Sequence, residues 1–250
     1  MKSVIIEHND GKFLLFPQDM LSKMLISGMV SGDSNEPHFR EIVKLINDDD
    51  IVIDGGGNLG YNSILMGKRL GPNGKLLSFE PQRIIYQQLT TNIILNNIFN
   101  AYTYNLALSN ISDQQLQMEP INYDVSDINI GGYSIGVGGE NVKTIKIDDL
   151  NLPRLDFIKL DIQGYEIFAI EGGILTILKY KPDIFIEIED FQLQKFGKTP
   201  EDVISLLKYL GYHIYKMNYN QPFLYRNYDH ICTIKNIEQV EKLNLPLIKI

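Results

Sequence analysis

Four acidic residues stand at or just after the end of an apolar run: Asp54, Glu80, Asp161 and Glu187. Asp54 ends the first run and leads into a glycine-rich turn, and Glu80 ends the next run twenty residues beyond Gly60. An apolar run, a glycine turn, a helical pattern and a second apolar run ending in an acid are typical of half of a nucleotide-binding α/β sheet. The sequence therefore predicts a nucleotide-like ligand at this turn.

The charge at Asp54 decides which ligand we expect. Gly55, Gly57 and Gly60 match the dinucleotide pattern GxGxxG, but a carboxylate at the end of the strand would repel a pyrophosphate in a crevice of low dielectric. S-adenosylmethionine (SAM) has no phosphate and carries an ammonium group that would contact Asp54, while its ribose diol would contact Glu80. Two alternatives stay open: Asp54 caps the following helix, or the glycine pattern belongs to a nicotinamide-dependent oxidoreductase.

Five segments resemble the FkbM family of SAM-dependent methyltransferases. They are VIDGGGNLGYNS (52–63), LLSFEPQ (76–82), Asn105-Leu106-Ala107, KTIKIDDL (143–150) and LDFIKLDIQGYEIFAIEGG (155–173). The resemblance implies O-methylation, commonly of sugar or polyketide hydroxyls. Family members usually carry Val-Glu-Gly where this chain has Ile162-Gln163-Gly164, so we assign no role to Gln163. The motifs and the resemblance together predict a cofactor site made of Asp54, Gly55, Gly56, Gly57, Asn58, Gly60, Asn62, Glu80, Pro81, Asn105, Ala107 and Asp161.

The order of predicted elements indicates an α/β fold. Strands are expected at 51–54, 75–80, 101–106, 155–161 and 183–189, and helices at 60–70, 82–97, 165–178 and 200–210. Such alternation predicts a parallel sheet. Residues 211–217 and 230–235 are expected to form two strands joined by a turn at 218–222. The resemblance implies the Rossmann-like class I SAM-methyltransferase fold, a mostly parallel seven-stranded sheet with a C-terminal antiparallel hairpin.

Two regions fall outside this alternation. Residues 1–50 are predicted to form an N-terminal helical cover over a methyltransferase domain at 51–250, with a strand-like start and an amphipathic helix within 14–30 and a second helix near 34–46. The cover either closes the cofactor mouth or only packs on the sheet. Residues 107–150 form an expected loop and strand insertion, whose glycine-rich part (131–139) either closes over an acceptor or stays at the surface.

Candidate catalytic residues follow from the strand that ends at Asp161. Lys159 and Asp161 are two residues apart and so lie on one face of a strand. Asp161 would accept the proton of an acceptor hydroxyl while Lys159 tunes its charge; alternatively the two form a buried ion pair. His38 is a second candidate base. Asp161 and Glu187 are candidate Mg²⁺ ligands, although an exposed strand face explains Glu187 equally well.

Composition limits the partners. The 250 residues carry a formal net charge of −8, which makes nucleic acid an unlikely main partner and leaves a small-molecule or glycan acceptor. Neither a signal peptide nor a membrane span is evident and the single cysteine fits a reducing compartment, so we expect a cytoplasmic protein. The leading hypothesis is a SAM-dependent O-methyltransferase acting on a sugar or similar secondary alcohol. The alternatives are the oxidoreductase and a non-catalytic accessory subunit with the same fold, and the oligomeric state is left open.

Overall fold

The computed structural model describes residues 2–28, 37–122, 124–125, 127–218 and 229–250. The strands in chain order are β1 Val4–His8, β2 Gly11–Leu15, β3 Ile51–Gly55, β4 Lys75–Phe79, β5 Ala101–Tyr104, β6 Ala107–Leu108, β7 Gln115–Met118, β8 Ile135–Gly136, β9 Asn141–Ile145, β10 Phe157–Leu160, β11 Asp183–Glu187, β12 His213–Met217, β13 Asp229–Thr233 and β14 Leu247–Lys249. The α-helices are α1 Met20–Ile26, α2 Pro37–Ile42, α3 Tyr61–Arg69, α4 Arg83–Leu95, α5 Glu166–Glu171, α6 Ile174–Tyr180, α7 Asp190–Gln194, α8 Pro200–Tyr209 and α9 Ile237–Glu241. Short 3₁₀ turns lie at Val43–Leu45, Ile130–Gly132 and Ile147–Leu150.

The central sheet has the order β14-β12-β13-β11-β10-β3-β4-β5 among the described residues. The strands β5, β4, β3, β10 and β11 are parallel, whereas β13 runs antiparallel to both β11 and β12. The predicted mostly parallel, Rossmann-like fold is confirmed. The sheet has eight strands and not the predicted seven, because β14 pairs with β12 at the edge. The turn predicted at 218–222 lies outside the described residues except for Asn218.

The chain changes direction along the sheet at β3, which has β4 on one side and β10 on the other. In open α/β sheets the carboxyl ends of the strands beside such a switch form the ligand crevice. Every residue of β3 is buried, and alternate residues enter different cores: Val52 packs with the cluster around Ile64, and Ile53 with the cluster around Ile170. Burial on both faces explains the apolar runs that predicted these strands.

The predicted helix at 165–178 is instead two helices, α5 and α6. The break falls at Gly172 and Gly173, where the chain passes so close to the insertion that a Cβ on Gly172 would overlap the carbonyl oxygen of Ser109. In addition, β11 ends at Glu187, two residues before the predicted end of the strand, and the short helix α7 begins at Asp190. The break at Gly172 depends on a contact with a distant residue, which a local pattern does not contain.

The N-terminal region is a hairpin followed by helices, and so is only partly the helical cover that we predicted. Strands β1 and β2 pair antiparallel, and the hairpin is held on α4 by Asn92 and Asn96, whose side chains bond the backbone of Leu14 and Lys12. The insertion forms a separate sheet of order β6-β9-β7-β8. The N-terminal segment bonds to this insertion, because the Met20 amide donates to the carbonyl of Ile128 (2.8 Å).

Candidate functional site

A pocket opens at the carboxyl ends of β3, β4 and β10. Its floor comes from the strand ends and its roof from the insertion. The residues that line it are Gly56, Asn58, Phe79, Glu80, Pro81, Gln82, Ile85, Leu106, Ala107, Leu108, Met118, Ile130, Gly131, Tyr133, Ser134, Ile135, Asp161, Ile162, Gln163 and Tyr165. The pocket therefore lies where the switch in strand order predicts a ligand.

In the turn after β3, position 56 is the one where glycine is most clearly required. Gly56 has φ +80°, and a Cβ there would overlap the carbonyl oxygen of Asp161. The amides of Gly56 and Gly57 both donate to the carbonyl of Phe79, at 3.0 and 2.9 Å. These bonds hold the turn against β4, so that the backbone at Gly56 faces the pocket without an intervening side chain.

Glu80 is the acid on the pocket wall beside this turn. Its carboxylate accepts hydrogen bonds from the amides of Asn58 and Gln82, both at 2.9 Å, and burial raises its pKa to about 7. The side chain of Asn105 donates to the carbonyls of Glu80 and Pro81 (2.9 and 2.7 Å). Asn105 is exposed and does not line the pocket; it fixes the loop that presents Glu80.

Asp54 does not face the pocket, and this corrects our prediction that it contacts the ligand. The side chain is fully buried, with Oδ1 3.1 Å from Lys159 Nζ and Oδ2 accepting from Ser63. Asp54 and Lys159 are register partners on neighbouring parallel strands, which puts both side chains on one face of the sheet. The ion pair is formed within the protein, so in this structure Asp54 contacts Lys159 and does not line the pocket.

Lys159 is likewise buried beneath the glycine turn and does not line the pocket. Its ammonium donates to the carbonyls of Gly55 and Gly56, at 3.2 and 2.9 Å. Burial alone would lower the pKa of Lys159, but Asp54 and Asp161 together raise it above the ordinary lysine value. The side chain therefore stays charged and holds the end of β3 in place. Its distance to Asp161 Oδ2 is 4.0 Å, so the two predicted catalytic residues are neighbours.

Asp161 lies on the pocket wall with its side chain about one-third exposed. The amide nitrogen of Gln163 donates to Asp161 Oδ1 (2.9 Å) and also to Glu187 Oε2 (3.1 Å). Burial and the nearby charges of Asp161 and Asp229 raise the pKa of Glu187 well above its ordinary value. Sequence reasoning assigned no role to Gln163, and it is this residue that joins the two carboxylates.

The carboxylates of Asp161 and Glu187, which we predicted as Mg²⁺ ligands, are joined in this structure by an amide N–H donor that contacts one oxygen of each. Within the described ranges, no group of three or more His, Cys, Asp and Glu side chains is placed to hold a metal.

The structure also corrects the prediction that His38 is a catalytic base. Phe39, its neighbour on α2, packs edge-on against Phe185 of β11 with ring centroids 5.3 Å apart. The His38 side chain is itself buried, with Nε2 3.4 Å from Asp229 Oδ2. In the described part of the chain His38 contacts Asp229 and does not line this pocket.

The remaining predicted cofactor residues divide into two groups. Pro81 and Ala107 line the pocket, as Gly56, Asn58, Glu80 and Asp161 do. The others lie behind it and shape the turn: Gly55 packs on Leu160, Gly57 on Ser78 and Leu89, Gly60 begins α3 at φ +95°, and Asn62 lies in the first turn of that helix.

The insertion, predicted as a loop and strand segment at 107–150, forms the roof of the pocket. Met118, Ile130, Tyr133 and Ile135 close the pocket from above. The roof is tied to the opposite wall by Lys195, whose ammonium lies 3.2 Å from a carboxylate oxygen of Glu119 and 3.1 Å from the hydroxyl of Ser134. It is tied to the N-terminal segment by Asp19, which caps α1 and accepts from the amide of Ile130 at 3.2 Å.

The charge of the lining is one-sided. Glu80 and Asp161 are its acids, and of the described residues none that lines the pocket is a lysine, arginine or histidine. A diphosphate bound here would lie beside carboxylates. The electrostatic argument first made for Asp54 stays a prediction, and in this structure it rests on Glu80 and Asp161 instead.

This fold and this pocket define a Rossmann-like α/β protein with a candidate ligand site at its strand-order switch. The family model of the methyltransferase FkbM domain matches residues 54–214. The chain belongs to the FkbM methyltransferase family, which confirms the resemblance found in the sequence.

Solved structures share the fold at low identity. A methyltransferase FkbM from Methylobacillus flagellatus KT superposes with a TM-score of 0.50 and 18% identity, covering 76% of this chain and 44% of that one. A protein from Clostridium thermocellum assigned as an rRNA methylase gives 0.51 and 12%, covering 79% and 92%. SMU.1697c from Streptococcus mutans, assigned as a methyltransferase and solved with SAH (S-adenosylhomocysteine), gives 0.50 and 11%, covering 80% and 97%. This chain thus spans less than half the length of the FkbM relative.

A search of curated proteins finds no match to this chain. None of the helices in the described part of the chain is long and apolar enough to cross a membrane.

Proposed function

We propose that this protein is a SAM-dependent O-methyltransferase whose acceptor is a hydroxyl of a sugar, a glycan or a similar secondary alcohol. The observation that carries the proposal is the acidic lining of the pocket, with Glu80 and Asp161 on its wall and no basic side chain among its described residues. A cofactor with a sulfonium and an ammonium is favoured by such a lining. Membership of the family supports methyl transfer.

The pocket residues fit SAM on three counts. Glu80 has both carboxylate oxygens fixed by backbone amides, which leaves lone pairs to accept from a ribose diol. Phe79, Ile85 and Leu108 offer an apolar wall suited to an adenine ring. The turn at Gly56 lets the ligand approach the backbone closely. These residues would hold the cofactor. None of them requires a phosphate group on the ligand as its binding partner.

SAM, when bound, supplies an electrophilic methyl group on a sulfonium, whose leaving group is a neutral thioether. An alcohol is a weak nucleophile and loses its proton during attack. Asp161 is the carboxylate on the wall of the pocket, and we assign to it the acceptance of that proton. Lys159 keeps the end of β3 in place from below. The roof, which includes Tyr133 and Ile135, excludes water. In such a site, alignment of the acceptor oxygen with the methyl group contributes most of the acceleration.

We assign no step to a metal, because the amide of Gln163 occupies the site between Asp161 and Glu187. The oxidoreductase alternative is disfavoured by the absence of a cation among the described lining residues. Only a measurement of methyl transfer distinguishes the accessory-subunit alternative from the proposed enzyme.

The experiment is a transfer assay with methyl-labelled SAM against a panel of methyl glycosides and sugar nucleotides, with Mg²⁺ and with EDTA. We expect transfer to at least one neutral glycoside in EDTA. At saturating SAM, Asp161→Asn should lower the rate by about 10²-fold or more, the contribution typical of a general base. The matched control is Asp113→Asn, the same change at an exposed position of the insertion. Wild-type rates in Asp161→Asn would remove the assigned base, and SAH binding without transfer to any acceptor would favour the accessory subunit.

A further inference from the structure

The amide nitrogen of Gln163 is directed at two carboxylates. It donates to Asp161 Oδ1 and Glu187 Oε2, whereas the amide oxygen accepts from the amide nitrogen of Gln192 (2.7 Å). One neutral side chain therefore contacts the carboxylate that follows β10, the carboxylate that ends β11 and the helix α7.

The backbone at Gln163 adopts a conformation that a non-glycine residue rarely takes. Its φ is +56°, in the left-handed region, and Gly164 follows at φ +96°. A Cβ at Gly164 would overlap the carbonyl oxygen of Gln192, so the turn lies directly against α7. Because a left-handed residue costs free energy, its presence beside a pocket is a reason to look for a function.

Glu166 holds this turn from beneath. Its carboxylate is buried and accepts from the amides of Ile162 (2.9 Å) and Gly164 (3.2 Å). The backbone on both sides of Gln163 is therefore fixed, and this directs the Gln163 side chain back toward Asp161.

A carboxylate that is to accept a proton must present one oxygen to the acceptor in a constant direction. Asp161 follows β10 and is about one-third exposed, so burial alone does not fix it. The Gln163 donor fixes Oδ1, and Gln192 fixes the amide in turn. The neutral amide does this without adding charge between two carboxylates that already repel each other.

We propose that Gln163 is a positioning residue that sets the orientation of the Asp161 carboxylate in the pocket, with Gln192 as its support. This inference rests on the function proposed above. It is not a catalytic residue in its own right, since it acts on the acceptor through Asp161.

The test compares Gln163→Leu and Gln192→Leu with a matched control, Gln87→Leu, which makes the same change at an exposed position of α4. The first readout is the crystal structure of each variant with SAH. We expect the Asp161 side chain to adopt a new or split orientation in Gln163→Leu and to remain unchanged in the control.

The second readout is transfer to the best neutral methyl glycoside of the panel. We expect kcat to fall about 100-fold in Gln163→Leu, the scale of a misplaced reacting group, with acceptor KM and SAH Kd within twofold of wild type. Gln192→Leu should shift kcat in the same direction by less, and it tests the proposal even if Gln163→Leu does not fold.

An unchanged Asp161 orientation in both variants, or a loss confined to SAH affinity, would overturn the positioning role. The crystal structures report on it even if wild type methylates no glycoside, a result that would count against the proposed function alone.

Discussion

Two buried glutamates make the stability of this protein depend on pH in a direction opposite to that of most acidic side chains. Burial raises the pKa of Glu80 and of Glu166 from 4.5 to about 7. The folded state therefore binds more protons than the unfolded state between these two values. Stability is present in full below pH 4.5 and is lost as the pH rises toward 7.

The size of the effect follows from the two pKa values. With about 1.4 kcal/mol for each pKa unit, each carboxyl costs about 2.5 kcal/mol of stability between pH 5 and pH 8. At about 2 to 4 °C per kcal/mol for a chain of this size, the two together lower Tm by about 10 °C or more. Cofactor binding acts on the same site, so the measurement uses the ligand-free protein.

The assay is thermal unfolding of wild type, Glu80→Gln, Glu166→Gln and the exposed control Glu238→Gln at half-unit steps from pH 5 to pH 8. We expect Tm to fall with rising pH in wild type and in the control. Each buried variant should remove about half of that fall, because a neutral amide does not titrate. A Tm that rises with pH, or an equal slope in all four proteins, would refute the account of burial at these two sites.

Three further outcomes are expected. Lys159→Met should lower the free energy of unfolding by about 3–5 kcal/mol in denaturant titrations, because Asp54 is left buried without its partner. The double variant with Asp54→Asn should recover part of that free energy. If the losses of the two single variants simply add in the double variant, the pairing is contradicted. Gly56→Ala should weaken SAH binding more than tenfold by calorimetry, because the new Cβ meets the carbonyl oxygen of Asp161. The control is Gly197→Ala, where the glycine has a similar φ but open space around it, and this variant should bind SAH as wild type does. Glycosides with a phosphate or carboxylate beside the acceptor hydroxyl should react at least about tenfold more slowly than neutral ones in the transfer assay, since the pocket is lined by carboxylates; equal rates would contradict the charge argument.

The fold was largely predictable because its determinants are local. Apolar runs of four to five residues alternate with helical patterns, and a sheet buried on both faces requires such runs. The glycine turn after β3 and the acid at Glu80 are adjacent to those strands in sequence, so their place in the crevice followed from the topology. The break at Gly172 did not follow, since it depends on the approach of Ser109 from the insertion.

The site was predictable only where a residue's role does not depend on distant partners. Asp54 looked available to a ligand because its partner Lys159 lies 105 positions away, and sequence reasoning joined Lys159 to Asp161 instead. Gln163 was passed over because its importance arises from reaching Glu187 on another strand. For Asp161, the order of the strands was enough, because the carboxyl ends of parallel strands meet at one edge.

The central claim is that an acidic pocket selects a nucleoside bearing an ammonium group over a diphosphate. Calorimetric titration of wild type with SAH and with NAD tests this most directly, alongside Glu80→Ala. Our account predicts that SAH binds, that NAD does not, and that Glu80→Ala weakens SAH by about 10- to 100-fold through lost charge-assisted hydrogen bonds. Binding of NAD in preference to SAH, or wild-type SAH affinity in Glu80→Ala, would contradict it.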